Sequence, residues 1–210
     1  MVSGQLDWKE MRDLYKYNTI NEETEFFGVV ADPVAHSYSP LIHNKAFAEE
    51  GLNARYFPFR VPKNDLSNLV DSCPNLNISG LSVTIPHKED AIEFCSQAES
   101  SATGIGAVNT MVFQNKDCLG YNTDYRAAMD CIEEVFQIDK SQERPMQGLT
   151  AMVLGAGGVS RAIAWGLKQR HCDVIISSRT HERAQILAAE IGCRTVEWGQ
   201  RHAPKINLLI

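Results

Sequence analysis

The sequence predicts an α/β fold in two parts, a mixed-sheet domain followed by a partial Rossmann-like domain. Short apolar segments alternate along the chain with segments whose apolar residues are three and four apart, which is the pattern of strands and helices in a layered α/β protein. Near residue 155, a glycine-rich turn then stands between one such strand and one such helix, as in a βαβ unit.

Composition excludes several classes of function. The 210 residues are 44% hydrophobic and 22% charged, and the formal net charge is −6, so we expect an ordered chain whose main partner is not nucleic acid. No apolar run approaches the roughly 20 residues that cross a bilayer, and nothing before Trp8 resembles a signal segment. The six cysteines contain no C-x-x-C pair, so we expect reduced thiols, no metal site and a cytoplasmic protein. A small anionic molecule remains open as a partner.

The first domain is expected at residues 26–138, after a linker of residues 1–25 that carries one short amphipathic helix. Its strands show alternating or continuous apolar residues, and its helices show helical spacing. In order, the expected elements are a strand from Phe26, a helix capped by Ser39 and ended by Gly51, a strand at 55–61, a helix at 63–73, a strand at 80–85, a helix at 90–98, a hairpin of 110–113 with 118–121, and a helix whose apolar stripe is Ala128, Ile132, Val135 and Phe136. The hairpin makes the sheet mixed.

The second domain is expected at residues 148–210, because the polar, proline-bearing stretch 139–147 is the best boundary. Its expected elements are a strand at 150–154, a helix at 160–169, a strand at 173–177, a helix at 181–191, a short strand at 194–196 and a last strand at 206–210. The last strand has no successor to cover it, so we expect the chain to be a truncated piece of a longer protein.

The turn at Gly155, Ala156, Gly157 and Gly158 has the composition of a phosphate-binding loop. Glycines let the backbone approach a pyrophosphate, and the free N–H groups of the following helix offer it positive potential. The pattern differs from G-x-G-x-x-G, since Ser160 stands in place of the third glycine. A tight turn without a ligand is the alternative interpretation, although the position between strand and helix favours a nucleotide.

The end of the next strand favours NADP over NAD. NAD sites place a carboxylate roughly 20 residues beyond the glycines, whereas this chain has Ser178, Arg179 and Thr180 there, with Arg183 following. Two arginines suit a 2′-phosphate, which a carboxylate would repel. Two solvated arginines at a helix start are the alternative.

Three further segments place polar residues where strands end or helices start, which is where open α/β sheets bind ligands. The first holds Ser37 and Ser39, of which Ser39 alone would be a helix cap. In the second, Lys88 is expected in the first turn of a helix that begins at Pro86, where its charge opposes the helix dipole. The third holds Asp124, and a lysine beside a carboxylate can protonate a developing alkoxide. Sequence alone leaves open whether Lys88 and Asp124 are neighbours.

Together these segments resemble the shikimate dehydrogenase family, which reduces 3-dehydroshikimate to shikimate with NADPH. The resemblance runs from about Phe26 to Ile210 and is carried, in the family's order, by Asp32–Pro40, Val83–Glu89, Ile105–Thr110, Tyr121–Asp124, Gly155–Ala162 and Ser178–Thr180. One departure is Ser82, where many relatives have asparagine and plant-like bifunctional members have serine. The segment Met11–Tyr15 also resembles the linker after a dehydroquinase domain in those bifunctional proteins, so an upstream dehydroquinase is a hypothesis.

The resemblance implies a role for each matching residue. The implied substrate-binding residues are Ser37, Ser39, Ser82, Thr84, Lys88, Asn109, Thr123 and Asp124, with Lys88 and Asp124 as the catalytic pair. The implied NADP(H)-binding residues are Gly155, Ala156, Gly157, Gly158, Val159, Ser178, Arg179, Thr180 and Arg183. Two alternatives stay open, a quinate or aminoshikimate dehydrogenase on the same scaffold and a ligand-binding fragment without turnover.

Overall fold

The structure is a computed structural model that describes residues 7–115, 117–139 and 141–210. These residues form two compact units. The first contains the described residues up to Ala102 together with Val108–Tyr121, and the second contains Thr103–Ala107 together with Asn122–Ile210. The α/β fold with a mixed sheet followed by a Rossmann-like unit is confirmed. The division falls before the helix near residue 130, earlier than the polar stretch at 139–147 suggests, because that helix packs against the second unit.

The first unit is built on a six-stranded mixed sheet with the order β2-β1-β3-β5-β6-β4. Its strands are β1 Glu25–Ala31, β2 Ala54–Arg60, β3 Ile78–Val83, β4 Gln97–Ala98, β5 Thr110–Gln114 and β6 Asp117–Tyr121. The strands β2, β1 and β3 are parallel, and β5 and β6 form the expected antiparallel hairpin beside β3. Their apolar residues form the core, in which Val30, Leu81 and Met111 are at most 2% exposed.

The described residues contain seven α-helices. They are α1 Trp8–Asp13, α2 Ser39–Glu49, α3 Leu66–Ser72, α4 Ser100–Ile105, α5 Thr123–Val135, α6 Gly158–Gln169 and α7 His181–Ile191. Short 3₁₀ helices lie at Tyr17–Thr19, Asp90–Phe94 and Trp198–Gln200. As expected, Gly51 follows α2 with a positive φ of 67°, a conformation that glycine adopts without strain.

The segment before β1 packs onto the first unit rather than standing apart as a linker. The ring of Tyr15 is 2% exposed and stacks on Phe57, with the ring centroids 4.7 Å apart. The buried guanidinium of Arg55 donates hydrogen bonds to the Tyr15 carbonyl, at 2.6 Å, and to the Thr19 hydroxyl. Sequence periodicity missed this contact because it rests on two side chains of β2 rather than on the segment's own pattern.

The predicted helix at 90–98 is wrong in its second half. The chain forms a 3₁₀ helix over Asp90–Phe94, turns into an extended conformation at Cys95, and then adds β4 to the sheet edge, where Gln97 pairs with Leu119. Strand pairing with β6 therefore overrides the helical spacing.

The second unit contains a four-stranded parallel sheet with the order β10-β7-β8-β9. Its strands are β7 Thr150–Leu154, β8 Asp173–Ser177, β9 Arg194–Thr195 and β10 Leu208–Leu209. The expected bounds of β7, β8 and α7 are reproduced, and α6 begins two residues earlier than predicted, at Gly158. Fully buried Ala151, Leu167 and Ile176 belong to the core between this sheet and its helices.

Helix α5 packs on α6 at a close approach. A Cβ on Gly166 would lie 2.7 Å from both the Met129 sulfur and the Tyr125 ring, so this position requires glycine. The apolar stripe expected on α5 is wrong at its end, since Val135 is 77% exposed and Phe136 is 40% exposed. The buried face instead includes Met129 and Glu133, whose charge is compensated by an ion pair with Arg170.

Candidate functional site

The two serines expected to bind a carboxylate lie at the start of α2 and are half-buried. Ser39 is the first residue of the helix rather than its cap, and Tyr38 holds the cap position without a side-chain hydrogen bond. The Ser39 N–H instead donates to the hydroxyl of Ser37 at 3.3 Å. The predicted cap role of Ser39 is therefore wrong, and Ser37 and Ser39 lie where the segment that follows β1 enters α2.

The phenol of Tyr56 joins two of the predicted binding residues. Its hydroxyl donates to Ser82 Oγ at 2.7 Å and also shares a hydrogen bond with Ser39. Tyr56 is 3% exposed, and burial raises the pKa of its phenol, while the two serine hydrogen bonds act in the opposite direction. Sequence reasoning missed Tyr56 because an aromatic residue inside a strand is an ordinary core residue.

Two residues of α2 hold Tyr56 in place. The side chain of Asn44, which is 5% exposed, donates to the Tyr56 carbonyl at 2.8 Å and accepts from the Tyr56 N–H at 3.0 Å. The imidazole of His43 stacks on the phenol ring, with centroids 4.3 Å apart and planes 15° apart, and burial lowers the pKa of His43. Asn44 thus holds the backbone of Tyr56 and His43 holds its ring, so the Tyr56 hydroxyl is kept in place between Ser39 and Ser82.

Lys88 lies in a turn, not in the first turn of a helix as expected. Pro86 cannot extend the strand ladder because it has no N–H, and the His87 N–H then bonds the Thr84 carbonyl at 2.9 Å. The 3₁₀ helix starts only at Asp90, so opposition between Lys88 and a helix dipole does not apply. Two hydrogen bonds fix the turn. The buried His87 Nε2 lies 2.8 Å from the Val61 carbonyl oxygen, and the Val108 N–H donates to the Lys88 carbonyl at 2.8 Å.

Asn109 is part of the same unit and is 8% exposed. Its backbone bridges two strands, because its carbonyl accepts from the Val83 N–H at 2.7 Å and its N–H donates to the Tyr121 carbonyl at 2.9 Å. Its side-chain oxygen accepts from the Thr110 hydroxyl at 3.0 Å. The first unit therefore contains Ser37, Ser39, Ser82, Thr84, Lys88 and Asn109, which lie at strand ends, in the turns between elements, or, for Ser39, at the start of α2.

Thr123 and Asp124 belong to the second unit, in the first turn of α5. Asn122 caps this helix, since its side-chain oxygen accepts from the Tyr125 N–H at 3.2 Å while its amide donates to the Ala107 carbonyl at 3.0 Å. A carboxylate suits a helix start on electrostatic grounds alone. Because Lys88 and Asp124 lie in different units, their pairing stays a prediction.

The second unit contains a cavity of about 530 Å³ at the carboxyl ends of β7 and β8. It is lined by Leu154, Gly155, Ala156, Gly157, Ser178, Arg179, Thr180, Arg183 and Trp198. The glycine turn and both arginines thus border one space, and none of these nine described residues is acidic. Gly158 and Val159 start α6 beside this turn but do not line the cavity.

The backbone of the turn suits a bound phosphate group. Gly155 has a φ of 131°, which strongly favours glycine, and its N–H donates to the Ser177 carbonyl at 2.8 Å. A Cβ built on Gly157 would meet no atom within 4 Å, so the space in front of the turn is open. The first N–H groups of α6 have no partners within the helix, and they supply the positive potential that an anion needs.

Trp198 is the cavity residue that sequence reasoning missed. It is half-buried and begins the 3₁₀ helix that follows β9. A tryptophan in the polar stretch 197–202, just past a strand end, was the available signal.

Among the described residues, no group of three or more histidine, cysteine, aspartate or glutamate side chains could hold a metal ion. No helix in the described ranges is both long enough and apolar enough to span a membrane. All six cysteines are free thiols. The sulfurs of Cys95 and Cys118 are 3.9 Å apart.

A mixed-sheet unit with polar strand ends, followed by a parallel-sheet unit with a glycine-lined cavity, defines a two-unit α/β protein whose second unit resembles a Rossmann-like dinucleotide-binding domain. Two family profiles match the chain. The profile described as Shikimate dehydrogenase substrate binding domain matches residues 29–111, and the profile described as Shikimate / quinate 5-dehydrogenase matches residues 137–204. The chain belongs to the shikimate dehydrogenase family.

Curated relatives come from several kingdoms. A bifunctional 3-dehydroquinate dehydratase/shikimate dehydrogenase of Arabidopsis thaliana is 36% identical over 90% of this chain and 32% of its own length. A shikimate dehydrogenase (NADP(+)) of Methanopyrus kandleri is 39% identical over 82% of this chain and 58% of its own. The chain therefore spans well under two thirds of these relatives. Because archaeal enzymes match as well as the plant one, the match supports the family and not a bifunctional subtype.

Solved structures agree with the fold. Shikimate dehydrogenase of Aquifex aeolicus superposes with a TM-score of 0.79 at 32% identity, covering 90% of this chain and 69% of that one. Shikimate 5-dehydrogenase of Thermus thermophilus, solved in complex with NADP(H) and shikimate, superposes with a TM-score of 0.72 at 33% identity, covering 88% and 67%.

Proposed function

We propose that the protein containing this chain is an NADP-dependent shikimate dehydrogenase, which reversibly reduces 3-dehydroshikimate to shikimate in the pathway to aromatic amino acids. The observation that carries the proposal is the cavity bordered by the glycine turn, Arg179 and Arg183 in a chain of this family. A dinucleotide with a 2′-phosphate matches its chemistry, because the cavity combines a phosphate-binding turn with two cations and no lining carboxylate.

In this proposal, the residues of the cavity hold the cofactor. The backbone of the turn Gly155–Gly158, with Ala156, and the start of α6 at Val159 bind the pyrophosphate. Arg179 and Arg183 bind the 2′-phosphate, with Ser178 and Thr180 beside Arg179. The bound cofactor supplies the hydride in the reductive direction. Charge-assisted bonds to phosphate are the strong ones, and arginine forms them in pairs.

The polar residues of the first unit and of the start of α5 bind the substrate in the same proposal. Ser37 and Ser39 take its carboxylate. Thr84, Asn109 and Asp124 take its hydroxyls, with Ser82 and Thr123 beside them. Lys88 protonates the oxygen that develops at the reduced carbon, and Asp124 is its partner in the proposed catalytic pair. In the reverse reaction, Lys88 accepts the proton of the substrate hydroxyl.

A quinate dehydrogenase is the second candidate, because the description of the profile over residues 137–204 names quinate as well as shikimate. An aminoshikimate dehydrogenase would use the same scaffold. Arg179 and Arg183 speak against an NAD-dependent quinate enzyme, since NAD carries no 2′-phosphate for them to bind.

We also propose a cytoplasmic location. An upstream dehydroquinase domain is a separate hypothesis, which the fusion in the Arabidopsis relative supports. Western blotting of native extract with an antibody to this chain tests the fusion, because a dehydroquinase domain would add the mass of a whole domain to the 23.4 kDa of these residues.

The enzymatic proposal is tested by NADPH oxidation, followed by absorbance, in the native full-length protein. We expect oxidation on addition of 3-dehydroshikimate, and in the reverse direction faster NADP⁺ reduction with shikimate than with quinate. A full-length protein that binds NADPH but leaves 3-dehydroshikimate unreduced would overturn the proposal.

A further inference from the structure

We propose that Trp198 is the base-stacking residue of the cavity in the second unit, and that its indole ring receives the adenine of the dinucleotide. This inference rests on the proposed function, since it assumes that the cavity binds NADP(H). Its starting point is that Trp198 lines the same 530 Å³ space as Gly155, Arg179 and Arg183. A large planar side chain beside phosphate-binding groups is suited to a nucleobase, whose flat faces stack on aromatic rings.

The indole is held in one orientation by Arg201. The Arg201 guanidinium lies 4.4 Å from the centre of the Trp198 ring, and its Nη1–H donates to the Trp198 carbonyl at 2.6 Å. A cation over an indole face is an attractive contact. One face of the ring is therefore covered, and a base entering the cavity would stack on the other, in the order guanidinium, indole, adenine.

A second contact places the segment that carries the ring beside the start of α7. His181 Nε2 lies 3.6 Å from a carboxylate oxygen of Glu197, the residue directly before Trp198. His181 is the first residue of α7 and follows the Arg179-Thr180 pair. The segment with the proposed base-stacking ring therefore lies beside the segment with the proposed 2′-phosphate group, so one ligand can reach both.

The position of Arg179 and Arg183 selects adenine rather than nicotinamide as the partner of Trp198. In NADP the 2′-phosphate is carried by the ribose of the adenosine half. A ring that lines the cavity together with the two cations proposed for that phosphate is therefore within reach of the base on the same ribose. Trp198 should accordingly contribute to binding of adenosine 2′,5′-bisphosphate and not to binding of nicotinamide mononucleotide.

Tryptophan fluorescence and calorimetry test the proposal without turnover. The chain has three tryptophans, Trp8, Trp165 and Trp198, and stacking of adenine on an indole quenches its emission. We expect adenosine 2′,5′-bisphosphate to quench part of the emission of the 210-residue chain. That quench should be lost in Trp198→Phe, which keeps an aromatic face and most of the affinity. Trp8→Phe, the matched control, removes a 63% exposed ring and should leave the quench intact.

The variant Trp198→Ala should raise the Kd for adenosine 2′,5′-bisphosphate and for NADPH by roughly 5- to 150-fold, the range for loss of one base–aromatic stack. Its Kd for nicotinamide mononucleotide should stay nearly unchanged.

Circular dichroism checks that Trp198→Ala is folded. If it is not folded, the loss of the quench in Trp198→Phe decides. If the unmodified chain binds NADPH but Trp198→Ala binds it equally well, or if the quench survives in Trp198→Phe, the stacking role is wrong while the cofactor site stands. If the unmodified chain binds neither ligand by calorimetry, the cofactor proposal and this one both fail.

Discussion

Tyr56 donates a hydrogen bond of 2.7 Å to Ser82 across the sheet of the first unit, although the strand β1 lies between their two strands. The bond fixes a phenol that also reaches Ser39 at the start of α2. Two hydroxyls for which the family resemblance implies substrate binding therefore share one partner. This geometry makes Tyr56 a positioning residue of the proposed substrate site.

Tyr56→Phe should weaken substrate binding more than it weakens the fold. The ring and its stack with His43 remain, but the hydroxyls of Ser39 and Ser82 lose their shared partner. A neutral hydrogen bond is worth about 0.5–1.5 kcal/mol, so we expect the Kd for shikimate to rise by roughly 2- to 12-fold. Titration calorimetry measures this, and Tyr17→Phe, at a tyrosine that is 54% exposed, is the control. Unchanged affinity in Tyr56→Phe would remove its hydroxyl from the site.

Arg179→Ala should reduce the preference for NADPH over NADH. Loss of a charge-assisted bond to phosphate costs about 1.5–3 kcal/mol, so the ratio of kcat/KM for NADPH to that for NADH should fall by roughly 10- to 150-fold. Steady-state kinetics of the full-length protein measure the ratio. Arg144→Ala, at an exposed arginine outside this cavity, should leave the ratio unchanged. An equal drop in both variants would mean that Arg179 does not read the 2′-phosphate.

Glu133→Ala should destabilise the second unit strongly. Glu133 is 5% exposed and pairs with Arg170, whose guanidinium also bonds the Tyr125 hydroxyl at 3.0 Å. Removing one partner of a buried pair leaves the other charge uncompensated, at a cost of about 3–5 kcal/mol. Urea denaturation measures the change. Glu134→Ala, at the exposed neighbour on the same helix, should change the free energy of unfolding by less than about 0.5 kcal/mol, and similar losses in the two variants would contradict the assignment.

His43 should make stability fall as the pH drops. Burial lowers its pKa in the folded chain, so below the unfolded value of about 6.5 the unfolded chain binds more protons than the folded one. The contribution is complete above that value and is lost at lower pH. Melting curves between about pH 7.5 and 5.5, a range that brackets the unfolded value, should show a smaller fall in Tm for His43→Phe, which keeps an aromatic stack on Tyr56. His202→Phe, at an exposed histidine, should behave like the unmodified chain, and a fall in His43→Phe equal to that of the unmodified chain would count against the prediction.

The sequence predicted the second unit better than the first because its elements are consecutive. Strands β7 and β8 and the helix between them depend on local apolar patterning and on one glycine turn, all of which is visible within about 30 residues. In the first unit, β4 forms only because Gln97 meets Leu119 at the sheet edge, far along the chain. The helical spacing of apolar residues over 90–98 did not indicate that pairing.

Sequence reasoning identified the candidate site residues whose residue type alone indicates a role. It missed the residues whose role depends on which other residues lie beside them. Arg179 and Gly155 are recognisable by charge and by backbone freedom beside a strand end. Tyr56 has no such signal, because a buried tyrosine is ordinary until its hydrogen-bond partner is known. The signal for Trp198, a tryptophan in a polar stretch past a strand end, indicates a role only once its cavity is known. Lys88 was placed in the proposed site by type, while the reason given, an opposed helix dipole, did not hold.

The most direct test of the account is the effect of Lys88→Met on turnover and on substrate binding in the full-length protein. Lys88 is proposed to protonate the developing alkoxide, so its loss should lower kcat by roughly 100-fold or more, within the range for general acid catalysis. The Kd for shikimate, measured by calorimetry, should change by much less. A kcat equal to that of the unmodified protein would contradict the central claim.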